Sequence, residues 1–121
     1  MRYKSLDQKY DWQTKGNKEL KCLISIIDKW TQMLFNQEII ITSAIRPKGD
    51  KPSYHTIGQA VDLRTKGVDE YIVSLWIDQI KMANRNLRNL TSIEGEFTWL
   101  HEDVGGDNQH FHLQLRKGEP I

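Results

Sequence analysis

Apolar residues recur along this chain with two different periods, and the changes of period divide it into helices and strands. From Asn17 to Asn36, Leu20, Leu23, Ile24, Ile27, Trp30 and Leu34 recur at steps of three and four, which is one face of a helix. Asn17 is suited to cap that helix, and Lys18 and Glu19 fall in its first turn. Ile39-Ile40-Ile41-Thr42-Ser43-Ala44-Ile45 is short and β-branched, which predicts a buried strand ending at Arg46. A turn-rich loop over 47–52 and a glycine at 58 lead into a second strand, about Gln59 to Arg64. Val68 to Arg85 returns to helical spacing through Val68, Ile72, Leu75, Trp76, Ile80 and Ala83, with Asp69 and Glu70 where a helix dipole favours acids. Leu87–Ile93, Phe97–Val104 and Gln109–Leu115 read as further strands. Residues 1–16 are polar apart from Tyr3, Tyr10 and Trp12, and are expected to form an irregular arm before a domain over 17–121. The prediction is an α+β fold, a small, mostly antiparallel sheet with helices packed on one face.

Composition narrows the classes of function. With 121 residues, 38% hydrophobic and 27% charged, the chain has the make-up of one globular domain rather than of a disordered segment. A net charge of +1 gives no electrostatic reason to expect a nucleic-acid partner, which would require many phosphates to be neutralised. No apolar run approaches membrane-spanning length, so membrane insertion is not expected. The opening Met1-Arg2-Tyr3-Lys4-Ser5-Leu6-Asp7 lacks the apolar segment of a signal peptide, so cytoplasmic synthesis is expected, as a monomer. Cys22 lies among Leu20, Leu23, Ile24 and Ile27, and is expected to be a buried free thiol.

The candidate chemistry lies in two stretches. Ser53-Tyr54-His55-Thr56-Ile57-Gly58-Gln59-Ala60-Val61-Asp62 sets a histidine and an aspartate on either side of a glycine turn. Strand alternation puts Ala60 and Asp62 on one face and turns Val61 and Leu63 to the core. In Gln109-His110-Phe111-His112-Leu113, the same alternation aims both histidines one way, with Phe111 and Leu113 inward. Taken singly, each of these has an ordinary reading. His55 suits a surface loop, Asp62 a turn cap or a partner for Arg64, and His110 and His112 a solvent-facing strand. Jointly, a His/Asp/His set on adjacent strand segments suits a zinc ion with three protein ligands and one open position.

These residues carry a resemblance. Ser53-x-His55-x-x-Gly58-x-Ala60-x-Asp62, preceded by Ser43-x-x-Arg46 and followed by His110-x-His112, resembles the zinc D-alanyl-D-alanine carboxypeptidase and dipeptidase family over about residues 17–116. That family includes bacteriophage L-alanyl-D-glutamate endolysins, and its fold is shared with the signalling domain of hedgehog proteins. The resemblance implies that His55, Asp62 and His112 bind Zn2+ and that His110 stabilises the oxyanion or the protonated intermediate. It also implies that Arg46 holds a substrate carboxylate or polarises the scissile carbonyl, and that Ser53 lies near the substrate. The implied activity is hydrolysis of peptidoglycan peptides containing D-amino acids, by a phage or prophage enzyme that reaches the cell wall after release. Arg46 is nearly as well suited to an ion pair with Asp50 or Glu102.

One position departs from the family pattern. The general base there is an acid three residues before the last zinc histidine, and here that residue is Gln109, which cannot accept a proton from the attacking water. Asp107, on the Gly105-Gly106 turn, is the first candidate to replace it and Glu102 the second, although Asp107 also suits a plain turn-forming role. The alternative is a non-catalytic metal-binding domain of the same fold. His101 is read as a solvent-facing strand residue outside the ligand set.

Overall fold

The computed structural model describes residues 1–45, 55, 58–89 and 95–116. Among them the chain runs β1 (Arg2–Tyr3), α1 (Leu6–Lys15), α2 (Lys18–Phe35), β2 (Ile40–Ser43), β3 (Ala60–Arg64), α3 (Glu70–Asn89), β4 (Glu96–Glu102) and β5 (His110–Arg116). The strands join in the order β1-β2-β3-β5-β4, with β1 parallel to β2 and every other pair antiparallel. The fold is α+β, a five-stranded mixed sheet with three helices.

Strand alternation sorts the two faces of the sheet as the sequence pattern requires. Val61, Leu63, Phe111, Leu113 and Leu115 enter one core with Leu20, Leu23, Ile24 and Ile27 of α2 and Ile72, Trp76 and Ile80 of α3. The opposite face of β3 and β5 carries Asp62, His110 and His112, and it is free for chemistry because the helices have covered the apolar side.

The buried stripe of α2 differs from the one expected. Trp30 and Leu34 are exposed, and the stripe is completed by Thr31 and Asp28. These two polar residues are buried because each is satisfied. Thr31 Oγ1 donates to Ile27 O at 2.7 Å and accepts from Trp76 Nε1 at 3.0 Å, and Asp28 Oδ1 accepts from Ile39 N at 3.1 Å. Cys22 is exposed rather than buried, since about 100° per residue turns it nearly opposite Ile24.

Residues 1–16 are not an irregular arm. β1 extends the sheet, and α1 starts at an N-cap in which Ser5 Oγ accepts from Gln8 N at 3.2 Å. Trp12 anchors α1 in the main core, and Gln8 binds the end of β2 by donating to Thr42 O at 3.1 Å and accepting from Ala44 N at 2.9 Å. The strand expected over 87–93 is also absent where the structure describes it, because α3 continues to Asn89. No glycine or proline interrupts 81–89, so nothing in the backbone stops the helix there. Residues 90–93 lie outside the described residues. Asn84 of α3 then meets β4, its side chain accepting from Phe97 N at 2.8 Å and donating to Phe97 O at 2.9 Å.

Candidate metal centre

Pairing of β3 with β5 sets Asp62 directly opposite His112, and pairing of β4 with β5 sets Glu102 opposite His110. His55 comes from the turn before β3, where it is buried, and its ring meets that of His112 edge-on at 5.1 Å. Each of His55, Asp62 and His112 offers one ligand atom, and those atoms lie within 4.8 Å of one another.

Hydrogen bonds decide which atoms are offered. His55 Nδ1 lies 2.6 Å from Ala44 O, and a carbonyl only accepts, so Nδ1 carries the proton and a neutral ring keeps its lone pair on Nε2. That Nε2 is buried, has no hydrogen-bond partner among the described residues and lies 3.5 Å from Asp62 Oδ1. His112 is held in the same manner. Its Nε2 donates to Gln114 Oε1 at 2.7 Å, leaving Nδ1 at 2.8 Å from Asp62 Oδ1. A lone pair and a carboxylate oxygen approach this closely only when a cation lies between them, either a proton or a metal ion.

The charge states agree with this geometry. Burial alone would raise the pKa of Asp62, but the two imidazoles beside it, His112 in hydrogen-bond contact and His55 at 3.5 Å, reverse the effect and hold it far below the usual carboxylate range. Burial likewise pushes His112 toward its neutral form, and the bonds to Asp62 and Gln114 outweigh that, raising its pKa above the ordinary histidine value. The residues present could hold a metal ion. An orphaned buried imidazole nitrogen, a carboxylate ionised at neutral pH and a second imidazole oriented by an amide supply a two-nitrogen, one-oxygen set.

The set opens into a cleft of about 530 Å³. Lys4, Thr42 and Ser43 line one side of it, and Glu102, Asn108 and His110 line the other. His110 Nδ1 donates to Asn108 O at 2.8 Å, and its Nε2 lies 3.4 Å from Glu102 Oε1. Asp107, the carboxylate preferred from the sequence, does not line the cleft. It is fully exposed, and Lys66 Nζ approaches it at 3.3 Å. Among the described residues, Glu102 is the carboxylate besides Asp62 that lines the cleft.

Gln109 points elsewhere. Its Nε2 donates to Thr65 O at 3.3 Å and its Oε1 accepts from Gly105 N at 2.8 Å, fastening the β4–β5 turn to the end of β3. His101 is half-buried rather than solvent-facing, with Nε2 at 3.0 Å from Thr65 Oγ1 and its ring 6.2 Å from that of Phe111. Arg46 and Ser53 lie outside the described residues.

Two contributors were missed in the sequence. Gln114 shares the face of His112 two residues on, so alternation alone brings it to notice. Lys4 carries no such signal, because only the β1–β2 pairing brings it to the cleft. Among the described residues, no helix is long and apolar enough to cross a membrane. In comparisons with known proteins, no family model matches the chain, nor does any curated protein or solved structure.

Proposed function

We propose that this protein is a zinc-dependent metallopeptidase that cleaves peptidoglycan peptides containing D-amino acids, with a fold of the hedgehog and D-Ala-D-Ala peptidase type. The observation that carries this reading is the buried, partnerless His55 Nε2 directed at Asp62 beside His112, at the floor of an open cleft. Buried nitrogens without a partner are uncommon, and an ion on the lone pair of His55 Nε2 accounts for this one. The family resemblance supplies the substrate class.

His55 Nε2, Asp62 Oδ1 and His112 Nδ1 would hold the ion. Zinc, when bound, polarises a carbonyl and makes a nearby water more acidic. The chain's own residues do the remainder. Glu102 is half-exposed at the cleft wall and takes the proton of the attacking water, then returns it to the leaving amine. His110, its Nδ1 proton fixed on Asn108 O, presents Nε2 toward Glu102 and steadies developing negative charge when protonated. In this reading Arg46 and Ser53 contact the substrate, as the resemblance implies.

A second reading, a non-catalytic metal-binding domain of the same fold, is favoured by one observation. The family's acid position holds Gln109, whose amide is engaged in the β4–β5 turn. The two readings separate in one experiment on the purified chain, measuring zinc content and release of peptides from peptidoglycan with and without a chelator. Wild type is expected to hold one zinc and release peptides, and alanine at His55, Asp62 or His112 to abolish both. Glu102→Gln is expected to keep the zinc and lose about a hundredfold or more in rate, while Asp107→Asn matches wild type. Stoichiometric zinc without any peptide release sinks the peptidase reading and leaves the metal-binding one.

A further inference from the structure

The cleft has a charge layout that the zinc ligands and Glu102 do not account for. Across the sheet order β1-β2-β3-β5-β4, Glu102 ends the last strand, Asp62 and His112 occupy the middle, and Lys4 follows the first. Lys4 is thus a cation on the side of the candidate metal centre away from the carboxylate, and it makes no ion pair among the described residues.

Lys4 is not a loose tail residue. Its backbone N–H donates to Ile41 O at 2.9 Å, and Arg2 N two residues earlier donates to Ile39 O at 2.8 Å, which fixes the segment against β2. Gln8 then brackets the neighbouring turn of chain from α1, through Thr42 O and Ala44 N. The N-terminal residues therefore hold Lys4 in the wall it shares with Thr42 and Ser43, and Ala44, next in the chain, is the residue whose carbonyl accepts the proton of His55.

We infer that Lys4 is a specificity-determining residue, binding a carboxylate on the substrate residue that follows the scissile carbonyl. This rests on the peptidase reading for the position of that carbonyl. β1 lies two strand spacings, about 10 Å, from β3, and an extended lysine side chain from the cleft-lining Lys4 would cover the larger part of it. The remainder accommodates about one extended residue, roughly 3.4 Å, between a carbonyl held over Asp62 and His112 and the ammonium group. An ammonium is a compact, flexible point charge, so it selects for the charge rather than for the planar geometry of its partner. A free C-terminus and a branched residue with a free α-carboxylate both present this chemistry. The hydroxyl-bearing Thr42 and Ser43 beside it make the rest of the wall polar.

The test is a calorimetric titration of the zinc-loaded full chain with N-acetyl-D-alanine and, separately, with its C-terminal amide. Wild type is expected to bind the acid about tenfold or more tightly than the amide, as befits one charge-assisted contact. Lys4→Met should abolish that preference by weakening the acid alone, and Lys4→Arg should restore most of it, with zinc content and melting temperature unchanged in both. Equal binding of acid and amide by wild type, or a preference that survives in Lys4→Met, overturns the assignment. Hydrolysis of N-acetyl-D-alanyl-D-alanine is scored alongside. A protein that shows the Lys4-dependent preference without hydrolysis keeps the subsite and loses the peptidase reading. Hydrolysis that Lys4→Met leaves untouched, with the preference intact, does the reverse.

Discussion

Adding one methyl group at Gly58 probes the joint between the N-terminal helices and the metal centre. Gly58 has φ 72°, and a Cβ built there would lie 2.6 Å from Lys15 O and 3.4 Å from Gly16 Cα. Both neighbours are backbone, so no side chain can swing aside. Asn17 N also donates to Gly58 O at 2.8 Å, which ties the start of α2 to the same point. Gly67 supplies the control, since it has φ 77° and nothing within 4 Å of the added Cβ. Gly67→Ala therefore carries only the left-handed backbone penalty, about 1–2 kcal/mol. Gly58→Ala carries that penalty and an overpacking term of about 1–3 kcal/mol, about 2–5 kcal/mol together. For a chain of this length, about 4 °C of melting temperature is lost per kcal/mol. Thermal and urea unfolding of both variants, followed by circular dichroism, should show Gly58→Ala as the less stable by about 4 °C or more. Because Gly58 N donates to His55 O at 3.3 Å, the same variant should also bind zinc more weakly, while Gly67→Ala binds as wild type does. Equal unfolding of the two variants would refute the claim that α1 closes directly on this glycine.

Zinc-free protein should owe part of its stability to the Asp62–His112 pair within a defined pH window. Asp62 is depressed, so its contribution is present above about pH 4 and is lost as pH falls through its folded value; His112 is raised, so its contribution is full below about pH 6.5 and is lost as pH rises through its folded value. Urea midpoints of the chelated wild type and Asp62→Asn across pH 3–9 should differ most inside that window, and a constant difference would count against the pair. Gln114→Leu removes the acceptor that fixes the His112 tautomer, and a competition titration with a chelating dye should show zinc affinity about 10–100-fold lower. Gln109→Leu should lower the melting temperature through the lost Thr65 and Gly105 bonds yet leave zinc affinity unchanged, and a zinc defect in that variant would place Gln109 nearer the site than its hydrogen bonds do.

What was readable in the sequence was periodicity. The alternation around Asp62 and His112 is enough to sort Val61, Leu63, Phe111 and Leu113 into the core and the polar residues onto the other face, because a strand has no other way to divide its side chains. α2 is equally legible in place and length, but not in the details of its buried face. Whether Thr31 and Asp28 can be buried depends on Trp76 and Ile39, which no local window contains. α1 escaped notice because it has a single buried apolar anchor, Trp12, and is otherwise held by Gln8 reaching across to β2. The placement of Asp107 and Glu102 relative to the cleft was hidden for a related reason. Nearness to His112 along the chain favoured Asp107, whereas antiparallel pairing brings Glu102 beside His110 from the neighbouring strand.

The direct opposition of Asp62 and His112 also bears on how the sheet is assembled. β3 and β5 are separated in the chain by α3 and β4, so their pairing is non-local and belongs to the slow part of folding. β5 alternates buried apolar and more exposed polar side chains, so its pattern already disfavours neighbouring alignments. A slip of one residue would set Leu63 or Val61 against His112 and turn the carboxylate toward the helices, with no cation to receive it. The polar pair therefore adds a second penalty against misalignment to the one that the apolar alternation imposes.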